Sequence, residues 1–128
     1  MKNKICLITG ATSGIGQAAA LGLAKKGATV IVAGRSEERC RNTVAQIKSE
    51  TGNSDVEYLV ADLSVQAQVR QLAAEFKSRY GHLDVLINNA AAIFLRRTVS
   101  ADGIEMNFTL NHLNYFLLTS LLLASLKA

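Results

Sequence analysis

Proline is absent from all 128 residues, where ordinary usage would give about six. That excludes proline-rich linkers and agrees with an unbroken succession of strands and helices. Cysteine is nearly absent. Cys6 and Cys40 form no Cys-x-x-Cys pair and are too few for a disulfide framework, so both read as reduced, packed thiols of a cytoplasmic protein. Histidine is as scarce, and His82 and His112 offer no metal-binding cluster. Long apolar runs are missing too. Ile5–Ile8 is far shorter than the apolar core of a secretion signal. The stretch Tyr115–Leu126 is shorter than a membrane span and is broken by Thr119, Ser120 and Ser125.

What is present describes a folded chain. Hydrophobic residues make up 49% of it, too many for disorder, and the length suits one domain, residues 1–128, with a genuine core. The net charge of +4 is uneven: residues 1–41 hold seven Lys or Arg against two Glu, while the remainder holds seven against eight acids. Nucleic-acid binding would need a long basic face. A small anionic ligand near the N-terminal third fits this distribution better.

Pattern and punctuation alternate strand and helix. Ile5–Thr9 reads as a buried parallel strand, followed by a glycine-containing turn and a helix over about Ile15 to Lys26. Its small inner stripe is Ile15, Ala18, Ala19, Gly22 and Leu23, and Gly27 supplies a left-handed cap. Thr29–Ala33 is a second strand. Ser36 caps a second helix with stripe Cys40, Val44 and Ile47, ended by Gly52. Val56–Ala61 is the third strand, and Ser64 caps a third helix with stripe Val69, Leu72, Ala73 and Phe76, closed by Gly81. Val85–Asn88 is the fourth strand. A loop over 91–103 contains Arg96, Arg97 and the turn pair Asp102-Gly103, and a last helix over about Ile104 to Lys127 is apolar on nearly every side after Leu113. The alternation predicts an α/β fold: a Rossmann-type, doubly wound parallel sheet of about four strands in order 3-2-1-4, with helices on both faces.

The first strand runs into Thr9-Gly10-Ala11-Thr12-Ser13-Gly14-Ile15-Gly16. This turn falls where the strand order reverses, the usual ligand crevice of such sheets. Gly10 lets the chain leave the strand sharply, Gly14 removes a side chain where backbone must approach a pyrophosphate, and Gly16 lets the helix pack close to the sheet. The first amides of the helix then receive the phosphates. Gly14-Ile-Gly16-Gln-Ala-Ala19 also matches G-x-G-x-x-G/A, but the longer T-G-x-x-x-G-x-G spacing fits the strand end better. No P-loop occurs. After the second strand stands Arg35, and no acid occupies positions 33–36. An acid there would hold a ribose 2′-hydroxyl; an arginine, here Arg35 with Arg39 nearby, favours a 2′-phosphate, hence NADP(H) over NAD(H).

Taken in order, Thr9-Gly10-x-x-x-Gly14-x-Gly16, Asp62-Leu63, Asn88-Asn89-Ala90 and Asn111 resemble the short-chain dehydrogenase/reductase family. Leu83–Ala90, Asp102–Met106 and Asn111-His112-Leu113 look closest to its retinol-dehydrogenase-like subgroup. The resemblance implies that Gly10, Ser13, Gly14, Ile15 and Gly16 contact the cofactor's pyrophosphate side. It implies that Asp62 and Leu63 flank the adenine, Asp62 by accepting from its amino group, and that Asn89 and Ala90 line the nicotinamide-side ribose. Asn88 would brace the fourth strand. Ala91 replaces the glycine that the family carries after Asn-Asn-Ala. Asn111 would be the catalytic asparagine that holds a water in a proton relay, beside a structural hydrogen bond of its own; His112 next to it reads as a packed or hydrogen-bonded histidine rather than a ligand.

The family's remaining machinery is an orienting Ser and a Tyr-x-x-x-Lys pair, in which the lysine lowers a phenol pKa otherwise near 10. Four residues after Tyr58, Tyr80 and Tyr115 stand Asp62, Asp84 and Thr119, so none of the three is that tyrosine. The expectation is therefore the NADP(H)-binding part of an oxidoreductase acting on a small carbonyl or alcohol, incomplete relative to the family and inactive alone. The alternative is a non-catalytic nucleotide-binding or oligomerising module. A homo-oligomer is expected through the apolar C-terminal helix or the edge of strand four, with no membrane span and no nucleic-acid partner.

Overall fold

A computed structural model describes all 128 residues. Four strands, β1 (Ile5–Thr9), β2 (Thr29–Gly34), β3 (Val56–Val60) and β4 (Val85–Ile87), form one parallel sheet. Their order is β3-β2-β1-β4, as the alternation predicts. Helices α1 (Gly14–Lys25), α2 (Glu37–Thr51) and α3 (Gln66–Arg79) link consecutive strands. After β4 come a loop, a short α4 (Met106–Phe108), a π-helical turn over Thr109–Leu113, and α5 (Asn114–Lys127). No helix is long and apolar enough to cross a membrane.

The sheet divides the interior into two cores because successive strand residues point to opposite faces. Cys6, Ile8, Val30 and Val32 turn toward Ala20 and Ala24 of α1 and toward Cys40, Val44 and Ile47 of α2. Leu7, Ile31, Ala33 and Leu59 turn toward Val69, Leu72 and Phe76 of α3 and toward Leu118 and Leu122 of α5. Each fully buried leucine or phenylalanine contributes about 1.5–3 kcal/mol relative to an exposed one.

The stripes of α2 and α3 lie where the pattern puts them. The stripe of α1 does not. Its buried residues are Gly16, Ala20 and Ala24, whereas Ile15 is 83% exposed. With small or apolar residues at almost every position of α1, periodicity cannot choose a face. The choice falls to the backbone, because only glycine fits at position 16. The last helix differs too: it begins at Met106, contains the π turn, and buries Asn114, Leu118, Leu122 and Ser125 while Phe116 and Leu123 stay exposed.

Two caps show local and distant control. Ser36 caps α2 by accepting from the Arg39 N–H at 3.3 Å, and Gly52 closes that helix at φ +71°. Ser64 does not cap α3. Its N–H and hydroxyl both donate to Asp62 Oδ1, at 3.0 and 2.7 Å, and the N–H of Gln66 donates instead to Asp102 Oδ2 at 2.9 Å.

Candidate active site

A cleft of about 510 Å³ opens at the carboxyl ends of the strands. One wall is the glycine turn after β1, with Gly10, Thr12 and Ser13. The second is formed by Gly34 and Arg35 after β2 and by Ala61 to Ser64 after β3. The third is the segment after β4, from Asn89 to Ala92, with Phe94, Met106 and Leu110 making an apolar end.

The turn is held to the end of β4 by Thr9, which is fully buried. Its hydroxyl oxygen accepts from the N–H of Asn89 and of Ala90, both at 3.0 Å. The Asn89 side chain returns the contact, Nδ2 donating to Gly10 O at 3.0 Å. Glycine is required here for two reasons. Gly10 sits at φ +64°, and a Cβ on it would lie 2.7 Å from Ala90 Cα. A Cβ on Gly16 would lie 2.4 Å from both Gly10 O and Asn89 Nδ2. Gly16 is thus the close-packing position that its place in the motif suggested. Gly14, at φ +56°, has open space where a side chain would stand.

The N-terminus of α1 carries no side-chain cap. Ser13 is extended, its side chain makes no capping hydrogen bond, and the first turn carries no acid. The orphan amides of a helix start, with the positive end of its dipole, therefore have no competing carboxylate. Arg35 stands exposed on the opposite wall and takes part in no ion pair.

Of the sequence-predicted residues, Gly10, Ser13, Arg35, Asp62, Leu63, Asn89 and Ala90 line the cleft. Gly14, Ile15 and Gly16 form the first turn of α1 outside its lining. Asp62 spends Oδ1 on Ser64, and the side chain of Leu63 is buried in the core. Asn88 braces β4 as expected, its Nδ2 donating to Thr119 Oγ1 at 3.0 Å.

Asn111 lies in the π turn, and its side chain is occupied. Oδ1 accepts from the Ala92 N–H at 3.0 Å, and Nδ2 donates to Ala92 O at 2.7 Å. Sequence reasoning passed over its neighbour Asn107, which does the same to Phe94 at 2.8 and 3.1 Å. The signal was an Asn-x-x-x-Asn spacing on one helix face. Glu105 starts this helix by accepting from the N–H groups of Asn107 and Phe108, both at 2.9 Å. Those bonds, that to Asn107 foremost, hold its carboxyl below the ordinary glutamate range. Tyr115 donates to Ala90 O at 2.9 Å, and burial pushes its phenol pKa up. Its hydroxyl is therefore a fixed donor rather than a base.

The sequence profile of the short chain dehydrogenases matches residues 4–128. The chain belongs to the short-chain dehydrogenase family. It is 42% identical over 125 residues to human polyprenol dehydrogenase and 41% identical over 125 residues to human retinol dehydrogenase 13; each match covers 98% of this chain and 38% of the relative. The chain thus spans about two-fifths the length of these relatives. Among solved structures it resembles the RhlG/NADP active-site complex of Pseudomonas aeruginosa at TM-score 0.84 and 32% identity, covering 99% of this chain and 49% of that one. A short chain dehydrogenase from Escherichia coli CFT073 complexed with NADPH matches at TM-score 0.80 and 32% identity, over 98% of this chain and 54% of that one. These likenesses bear out the predicted family and fold.

Proposed function

We propose that residues 1–128 form a nucleotide-binding domain that holds NADP(H) for an oxidoreductase acting on an alcohol or carbonyl. The observation that carries the reading is the pairing of two anion-receptive features at one cleft: the uncapped, acid-free start of α1, which meets the cleft at Ser13, and the unpaired Arg35. A dinucleotide with an adenosine 2′-phosphate has two anionic centres, and this cleft offers one partner to each. Gly10, Ser13, Gly14, Ile15 and Gly16 would receive the pyrophosphate. Arg35 would pair with the 2′-phosphate in bidentate fashion. Asp62, through the oxygen not given to Ser64, would accept from the adenine amino group with Leu63 beside it. Asn89 and Ala90 would border the nicotinamide-side ribose.

When bound, the nicotinamide supplies the hydride donor or acceptor. The residues of this chain bind and orient it. None of Tyr58, Tyr80 and Tyr115 has a lysine four residues on, so the reading assigns no proton transfer to a tyrosine of these 128 residues. Asn111 would be the catalytic asparagine that holds a water of the proton relay, with its side chain committed to Ala92. The substrate class rests on the relatives named for retinol and polyprenol and on the apolar end made by Phe94, Met106 and Leu110: an apolar alcohol or its carbonyl counterpart. Association of copies is supported by Phe116 and Leu123, which α5 leaves exposed, and by the open outer edge of β4.

The test is a fluorescence titration with NADPH and NADH of the wild type and of Arg35→Asp. The wild type should prefer NADPH. The variant should bind it about 10- to 100-fold more weakly, the span of a lost charge-assisted hydrogen-bonded pair. An unchanged preference would overturn the assignment of Arg35.

A further inference from the structure

The loop after β4 carries a feature separate from the nucleotide cleft. Asn107 and Asn111, one helical turn apart, each clamp a backbone amide and carbonyl of the loop, Asn111 on Ala92 and Asn107 on Phe94. With alternate residues 92 and 94 held inward, Ile93 and Leu95 point the other way. They are 85% and 96% exposed, among the most exposed large apolar side chains of the molecule. Arg96 and Arg97 follow directly, exposed and outside any ion pair.

We infer that Ile93 and Leu95, with the collar Arg96 and Arg97, form a tip that docks on an anionic lipid surface. Two apolar side chains entering the acyl boundary beside two guanidiniums at the headgroup phosphates match that surface in polarity and charge. The clamps fix the tip in advance, so docking orders little chain. Glu105, whose charge reaches Arg97, already spends its oxygens on capping the helix start. A second copy offers a poorer complement, because the chain itself carries a net charge of +4. The docking rests on these loop residues and not on the nucleotide assignment.

The experiment is flotation of the 128-residue chain with vesicles of phosphatidylcholine alone and of phosphatidylcholine mixed with phosphatidylserine. The wild type should float with the mixed vesicles and leave them as salt is raised. Arg96→Glu with Arg97→Glu should weaken binding by at least about fivefold for each arginine replaced. Ile93→Asp with Leu95→Asp should abolish flotation while melting temperature and circular dichroism stay at wild-type values, since both side chains are exposed. No flotation of the wild type, or equal flotation of the variants, would overturn the inference. So would light scattering that shows a wild-type oligomer dissociated by Ile93→Asp with Leu95→Asp, which would assign the tip to a second copy.

Discussion

At the scale of single residues, the cleft depends on Thr9 as much as on the glycines beside it. Its hydroxyl takes two backbone N–H groups of the β4 end, so Thr9→Val leaves two part-buried donors without a partner. Each costs about 1–3 kcal/mol, and urea denaturation should show a loss of that order with the fold retained. Gly16→Ala should act more locally. The added methyl meets Gly10 O and Asn89 Nδ2 at 2.4 Å, so nucleotide binding should fall well before the melting temperature collapses. Unchanged binding by calorimetry would remove Gly16 from the account. The glycine spacing was legible because its meaning is local. The partners of Thr9 lie about 80 positions away, and those of Asp102, which caps α3, lie 36 away. No short-range pattern announces such contacts.

At the scale of elements, legibility follows contrast. In α2 and α3, polar and apolar residues alternate strongly enough to fix the inner face, and Val69, Leu72, Ala73 and Phe76 are buried as read. In α1 and α5, small or apolar residues occur all round, and the face is set by packing: Gly16, Ala20 and Ala24 inward in one, Leu118 and Leu122 inward in the other. The π turn at Thr109–Leu113 was likewise unreadable. It accompanies the clamps of Asn107 and Asn111 on the loop, and such turns recur at functional sites. Asn107→Ala should free the Phe94 amide, raising its hydrogen exchange about fivefold to tenfold for a hydrogen bond worth about 1 kcal/mol, with α1 amides unaffected. Equal exchange would show that the loop is held by something else.

For the whole molecule, the four-strand order and the two cores follow from the strand–helix alternation. The start of β4 is tied by Asp84, which accepts from the Ile5 N–H at 2.8 Å and lies 3.7 Å from Lys4 Nζ and 3.2 Å from His82 Nε2. The Ile5 bond first, then Lys4 and His82, holds the Asp84 carboxyl below the ordinary aspartate range. A depressed folded pKa stabilises the protein above the unfolded value near 4 and loses that stabilisation as pH falls through the folded value. The melting temperature should therefore drop on acidification below about pH 4, and less steeply in Asp84→Asn, with Glu105 supplying a remaining dependence of the same sign. The central claim, that one cleft at the strand ends receives NADP(H), is tested most directly by amide chemical shifts of the isotopically labelled chain during titration with NADP⁺. The account predicts saturable shifts at Gly10, Ser13 to Gly16, Arg35, Asp62, Leu63 and Ala90. An absence of shifts, or shifts confined to other surfaces, would contradict it.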